Sequence, residues 1–117
     1  MASKEPIFVK EMQNVSELED STVVFVVQIT GEKPMEVKWY DEDGNAITSD
    51  THYTIEEDDA SGEYSLSISE VEFENDSGLY RCEASNKHGK TSSEATLFIE
   101  EMPGTAKKLL HKVEHKD

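Results

Sequence analysis

The chain has 117 residues, of which 35% are apolar and 32% charged, and its formal net charge is −15. That length suits one domain and suffices to bury a core without metal or disulfide staples; no apolar run is long enough to predict a transmembrane helix, so a soluble protein is expected. Nucleic-acid phosphates and anionic headgroups are bound mainly by Lys and Arg, so an acidic body excludes nucleic acid and membrane as its partners.

Short segments with alternating apolar residues recur about every ten residues, separated by turn-forming clusters, which predicts an antiparallel β-sandwich. The N-terminal lead, residues 1–5, lacks the apolar stretch of a secretory signal and runs directly into Pro6-Ile7-Phe8-Val9-Lys10. Pro6 suits an edge strand, where a missing N–H donor is tolerated. A second short strand is expected around Val15 and Leu18, and a longer one over 21–30. There Val23, Phe25, Val27 and Ile29 share one face and point to the core, with Val24, Val26, Gln28 and Thr30 outward.

Glu36 to Tyr40 alternates again, placing Trp39 on the face of Val37, and Asp41-Glu42-Asp43-Gly44-Asn45 supplies a turn. Tyr53 and Ile55 mark a further strand, Asp58 to Gly62 a hairpin loop, and Tyr64, Leu66, Ile68 and Val71 the strand after it and its exit. Leu79 to Ser85 and Thr91 to Glu100 form a final pair joined through Asn86-Lys87-His88-Gly89, where Asn86 tolerates a turn conformation and Gly89 permits a positive φ. The count is eight or nine strands, with no amphipathic helix within 6–100.

Asp76-Ser77-Gly78-Leu79-Tyr80-Arg81-Cys82-Glu83-Ala84 resembles the Asp-x-Gly-x-Tyr-x-Cys-x-Ala run of the immunoglobulin superfamily. The resemblance is to the intermediate set (I-set) found in titin, twitchin, myosin light chain kinase and related muscle proteins, and it covers residues 6–101. It implies a Greek-key immunoglobulin-like sandwich in which Tyr80, two residues before Cys82, forms the tyrosine corner. Trp39 falls where the family places its core tryptophan, and Val27, Leu66 and Asp76 complete the structural positions the resemblance implies. The stretch from Ala84 to Gly89 looks like the family's Ala-x-Asn-x-x-Gly hairpin. Gly31-Glu32-Lys33-Pro34 loosely resembles its Gly-x-Pro turn, with the proline one place late.

The family's first cysteine belongs in the family's second strand, where this chain has Val27, so no inter-sheet disulfide is possible. A secreted domain loses roughly 2–5 kcal/mol without such a bridge, whereas a cytosolic one never relies on it. The resemblance and the missing cysteine together point to a cytoplasmic home, in the sarcomere or cytoskeleton. Cys82 is then a buried, reduced thiol acting as a small hydrophobe.

No catalytic, cofactor or metal site is expected. Asp41-Glu42-Asp43 and Glu56-Glu57-Asp58-Asp59 offer oxygen ligands but lack the twelve-residue EF-hand pattern. His52, His88, His111 and His115 are scattered, and the chain has neither a Gly-x-Ser-x-Gly elbow nor a phosphate-binding glycine loop. Two sequons, Asn14-Val15-Ser16 and Asn75-Asp76-Ser77, matter only in the secretory pathway. Residues 102–117 form a basic linker or tail. After Pro103-Gly104, the residues Ala106, Leu109, Leu110 and Val113 recur at helical spacing, making Lys107, Lys108, Leu109, Leu110 and Lys112 candidates for partner binding. The expected function is non-catalytic: a spacer and docking module, monomeric in isolation, whose partners are neighbouring immunoglobulin-like domains or filament-associated proteins. An extracellular adhesion or receptor domain, and a domain from the regulatory region of a kinase, are the alternatives.

Overall fold

A computed structural model describes residues 4–101, which form eight strands and one turn of helix. In chain order these are β1 (Ile7–Lys10), β2 (Val15–Leu18), β3 (Val23–Thr30), β4 (Glu36–Tyr40), β5 (Tyr53–Asp58), β6 (Glu63–Ile68), α1 (Phe73–Asp76), β7 (Gly78–Asn86) and β8 (Gly89–Glu100). Two four-stranded sheets, β1-β3-β6-β5 and β2-β8-β7-β4, face each other as an immunoglobulin-like sandwich. All pairings are antiparallel except one: β2 lies parallel to β8, with Val15 opposite Leu97. The parallel pair arises because the chain, after pairing β1 with β3, crosses to the other sheet and meets β8 running in its own direction.

The period-two pattern decides which side chains enter the core. On β3, Val23, Phe25, Val27 and Ile29 are buried and Val24 and Thr30 exposed. Tyr64, Leu66 and Ile68 on β6 face them from the same sheet. Trp39, Tyr80, Cys82, Ala84, Ala95, Leu97 and Ile99 come from the other sheet. Full burial of an aliphatic side chain such as Leu66 is worth about 1.5–3 kcal/mol, so these facing rows hold the sheets together.

Turn chemistry closes the strands. One carboxylate oxygen of Asp41 accepts from the backbone N–H groups of Asp43 and Asn45 at 3.0 Å each, and Gly44 adopts a left-handed φ of 84°. Past this turn only a bridge between Tyr40 and Ala46 continues the sheet, and the chain leaves for the opposite one to build β5. The β5–β6 loop repeats the device with Asp58 accepting from Ala60 and Ser61, and ends on Gly62 at φ 77°. A Cβ there would stand 2.8 Å from the Ile29 carbonyl oxygen, so the close approach requires glycine. Gly89 does not use the positive φ open to it, and the hairpin is shaped by Asn86, whose side-chain oxygen accepts from the His88 N–H at 2.8 Å.

Candidate interaction surfaces

Asp76 ends α1 with its side chain buried, and its backbone carbonyl accepts from the Tyr80 hydroxyl at 2.7 Å. One Asp76 carboxylate oxygen accepts from the Glu72 N–H at 2.7 Å, and the other lies 2.8 Å from His52 Nε2. These bonds pin the loop between the sheets to the start of β7. Burial, reinforced by nearby Tyr53 and carboxylates, raises the pKa of the Tyr80 phenol well above its ordinary value. Phe25 packs against the Tyr80 ring at a centroid distance of 5.5 Å.

Val27, Trp39, Leu66 and Cys82 all lie in the interior. Burial first, and the Glu83 charge second, push the Cys82 thiol up to about 12, so it is protonated and unreactive at neutral pH. Among the described residues Cys82 is the free cysteine and has no disulfide partner. The core residues therefore shape the scaffold.

The acidic loops do not converge on a metal geometry among the described residues. Glu56, Glu57, Asp58, Asp59 and Glu63 line a shallow open depression beside Tyr64. Lys33 reaches over to Asp59 at 3.1 Å, which with its bond to the Tyr64 hydroxyl raises the lysine pKa. His52 is bound to Asp76 and His88 to Glu32, in different parts of the domain. His111 and His115, and the tail candidates Lys107, Lys108, Leu109, Leu110 and Lys112, lie outside the described residues.

Two features near the start of the domain hold the chain entry. The Asn86 side-chain amide donates to the carbonyls of Lys4 and Glu32, and the Glu32 N–H donates to Lys4. The chain entering β1 is thereby fixed to the β7–β8 hairpin.

The outer face of β4-β7-β8 is a charge ladder. Arg81 stacks over the Tyr40 ring at 4.7 Å and stands opposite Glu94. Lys90 and Glu83 are 3.7 Å apart. At the other end of this face the ladder gives way to exposed Leu18, Leu79 and Phe98. Alternation hid this stripe: Leu97-Phe98-Ile99 reads as one apolar run, yet Leu97 and Ile99 point inward and Phe98 takes an outward position between Thr96 and Glu100. The signal available in the sequence was Phe98 itself, out of phase with the buried row of β8.

A family model described as the immunoglobulin I-set domain matches residues 6–99. Smooth-muscle myosin light chain kinase of Gallus gallus is 36% identical over 98 residues, covering 82% of this chain and 5% of that protein. The chain thus spans a small fraction of the length of the curated relatives it matches first. Among solved structures, a chimeric titin Z1Z2 protein superposes with a TM-score of 0.78 at 31% identity, covering 87% of this chain and 100% of that one. A chain from a complex of titin M10 with an obscurin-like 1 Ig domain shares the fold, with a TM-score of 0.78 at 21% identity, covering 86% of this chain and 98% of that one.

Proposed function

Because this chain belongs to the immunoglobulin I-set family, we propose that it serves as a non-catalytic structural and protein-interaction module of a larger intracellular muscle or cytoskeletal protein. It acts there as a spacer and a docking surface. The observation that carries this reading is the match of one complete sandwich to a small fraction of a long muscle protein. The chemistry of the surface agrees with it: Asp41 and Asp58 are engaged in turns, His52 pairs with Asp76 and His88 with Glu32, and the largest buried groups fill the core. Partners are proteins, neighbouring immunoglobulin-like domains first, and the isolated domain is a monomer. A titin domain has been solved with another Ig domain as its partner, which makes such a domain the first candidate to test here.

The cysteine argument favours the cytoplasm, in the sarcomere or cytoskeleton, since Val27 leaves Cys82 without a cross-sheet partner. The test is immunolocalisation of the native protein in striated muscle, comparing intact with permeabilised samples. Repeating bands seen only after permeabilisation are expected; staining of intact cell surfaces would overturn the reading in favour of an adhesion or receptor domain. Kinases among the relatives give a second reading, a domain from a kinase regulatory region. A catalytic domain found in the parent polypeptide by mass spectrometry would select it.

A further inference from the structure

We propose that the groove between the free edges of β4 and β5 receives an extended segment of a partner protein, added as a strand to β4 and carrying lysine or arginine towards β5. This names the partner class for the docking module described above and rests on that reading. β4 and β5 are each the last strand of their sheet. They border one open groove of about 560 Å³, with Pro34, Met35 and Val37 on one side and Glu57 on the other.

The hydrogen-bond pattern leaves the backbone of β4 unpaired at this groove. In an antiparallel pair, alternate residues turn their N–H and C=O groups away from the neighbouring strand. Trp39 does so, since its carbonyl accepts from the Ile47 N–H at 2.8 Å, and Val37, two residues earlier, therefore does so as well. The returning chain covers β4 only around Trp39 and Tyr40. Among the described residues nothing bonds the outward groups of Val37. On β5 the corresponding N–H groups are largely occupied: Tyr53 donates to Asp50 and Ile55 to Ser49. β4 is thus the edge that can accept a strand.

The side chains choose the occupant. Met35 and Val37 are half-buried against the core, so one face of an incoming strand meets apolar surface. Glu57 shares the inward face of Tyr53 and Ile55 yet stands exposed at the rim, and the acidic wall continues past it through Glu56, Asp58 and Glu63. Among the described residues Glu56, Glu57 and Glu63 have no ion pair. A single inward charge suffices to guard an edge against wrong pairing. Asp58 and Glu63 go further, standing directly opposite each other on β5 and β6, which destabilises a sheet and which a bound cation offsets. Lys33 already pairs with Asp59 beside these carboxylates, at 3.1 Å. An edge of one charge repels a second copy of a chain of net charge −15 and attracts a basic strand.

The experiment titrates the isotope-labelled full chain with a short capped peptide in which threonine alternates with valine and lysine by turns. Amide signals of Val37 and Glu57 should shift, and solvent exchange of the Val37 amide should slow, while Val9 on β1 and Leu79 and Phe98 on the apolar stripe are unchanged. Glu57→Lys with Glu63→Lys should weaken binding about tenfold, because two attractions become repulsions. Glu17→Lys on β2 should leave it unaltered. Glu63→Lys puts a cation opposite Asp58 and should keep or raise the urea midpoint, so weaker binding by this folded variant is assigned to charge. The same peptide N-methylated throughout keeps its charge but has no N–H to donate to β4, and should not bind. Equal binding by that peptide, or by one with glutamate for lysine, would overturn the proposal. So would shifts centred on the stripe, the absence of shifts at millimolar peptide, or a concentration-dependent shift of Val37 in the chain alone, which would assign the edge to a second copy. The sarcomeric and cytoskeletal reading is tested separately by immunolocalisation and stands if this binding fails.

Discussion

Replacing Tyr80 with Phe isolates a single bond in the core. The ring keeps its packing against Phe25 at 5.5 Å, and what disappears is the hydroxyl that donates to the Asp76 carbonyl at 2.7 Å. Losing a buried hydrogen bond and leaving its acceptor without that donor costs about 1–3 kcal/mol. In a domain of this size each kcal/mol lowers Tm by roughly 4–8 °C. Urea denaturation followed by the fluorescence of Trp39, the single tryptophan and a buried one, should show a lower midpoint with an unchanged slope. The substitution also has a pH signature. The Tyr80 pKa is raised in the folded state by burial, so its stabilising effect is complete below the unfolded-state value near 10 and is lost as pH rises towards the folded value. The wild-type chain should therefore lose stability above about pH 10 more steeply than Tyr80→Phe does. A loss under about 0.5 kcal/mol at neutral pH, the range of a bland surface change, would refute the reasoning that this bond anchors the loop.

Gly62→Ala should destabilise by about 2 kcal/mol or more, since it combines a left-handed φ with a Cβ 2.8 Å from the Ile29 carbonyl oxygen; unfolding at wild-type urea concentration would refute it. Val27→Cys should form a disulfide with Cys82 under oxidising conditions and raise stability by roughly 4 kcal/mol over the reduced form, if position 27 is the counterpart of the family's first cysteine. Failure to cross-link would show that the two positions do not face each other closely enough. Cys82 should resist a soluble disulfide reagent at neutral pH until urea unfolds the chain, and fast labelling of the native protein would contradict its burial. Its thiol, raised from about 9 to about 12, contributes stability that is present below pH 9 and lost between those values, so Cys82→Ala should flatten that part of the pH profile.

Much of the architecture was legible because a sandwich strand writes its burial into every second residue. Val23, Phe25, Val27 and Ile29 announced the core face of β3, and Gly44 and Gly62 sat in turns whose aspartates also identified them. The short helix at Phe73–Asp76 was not legible, since four residues carry no periodicity. Nor was the parallel β2–β8 pair, because direction of pairing depends on where the chain crosses between sheets and leaves no local pattern. The conformation of Gly89 was likewise open: a turn glycine permits a positive φ without demanding one, and here Asn86 supplies the hairpin's local hydrogen bond.

For the interaction surfaces the division is sharper. Composition and the Asp76 to Ala84 run determined the family, the acidic body and the unpaired Cys82, since each depends on residue identity alone. The partnership of His52 with Asp76 and the stacking of Arg81 on Tyr40 join residues far apart in the chain, so only the packed sheets decide them. The stripe of Leu18, Leu79 and Phe98 has the same origin: each is an ordinary apolar residue in its own strand, and the register of β2, β8 and β7 makes them one surface.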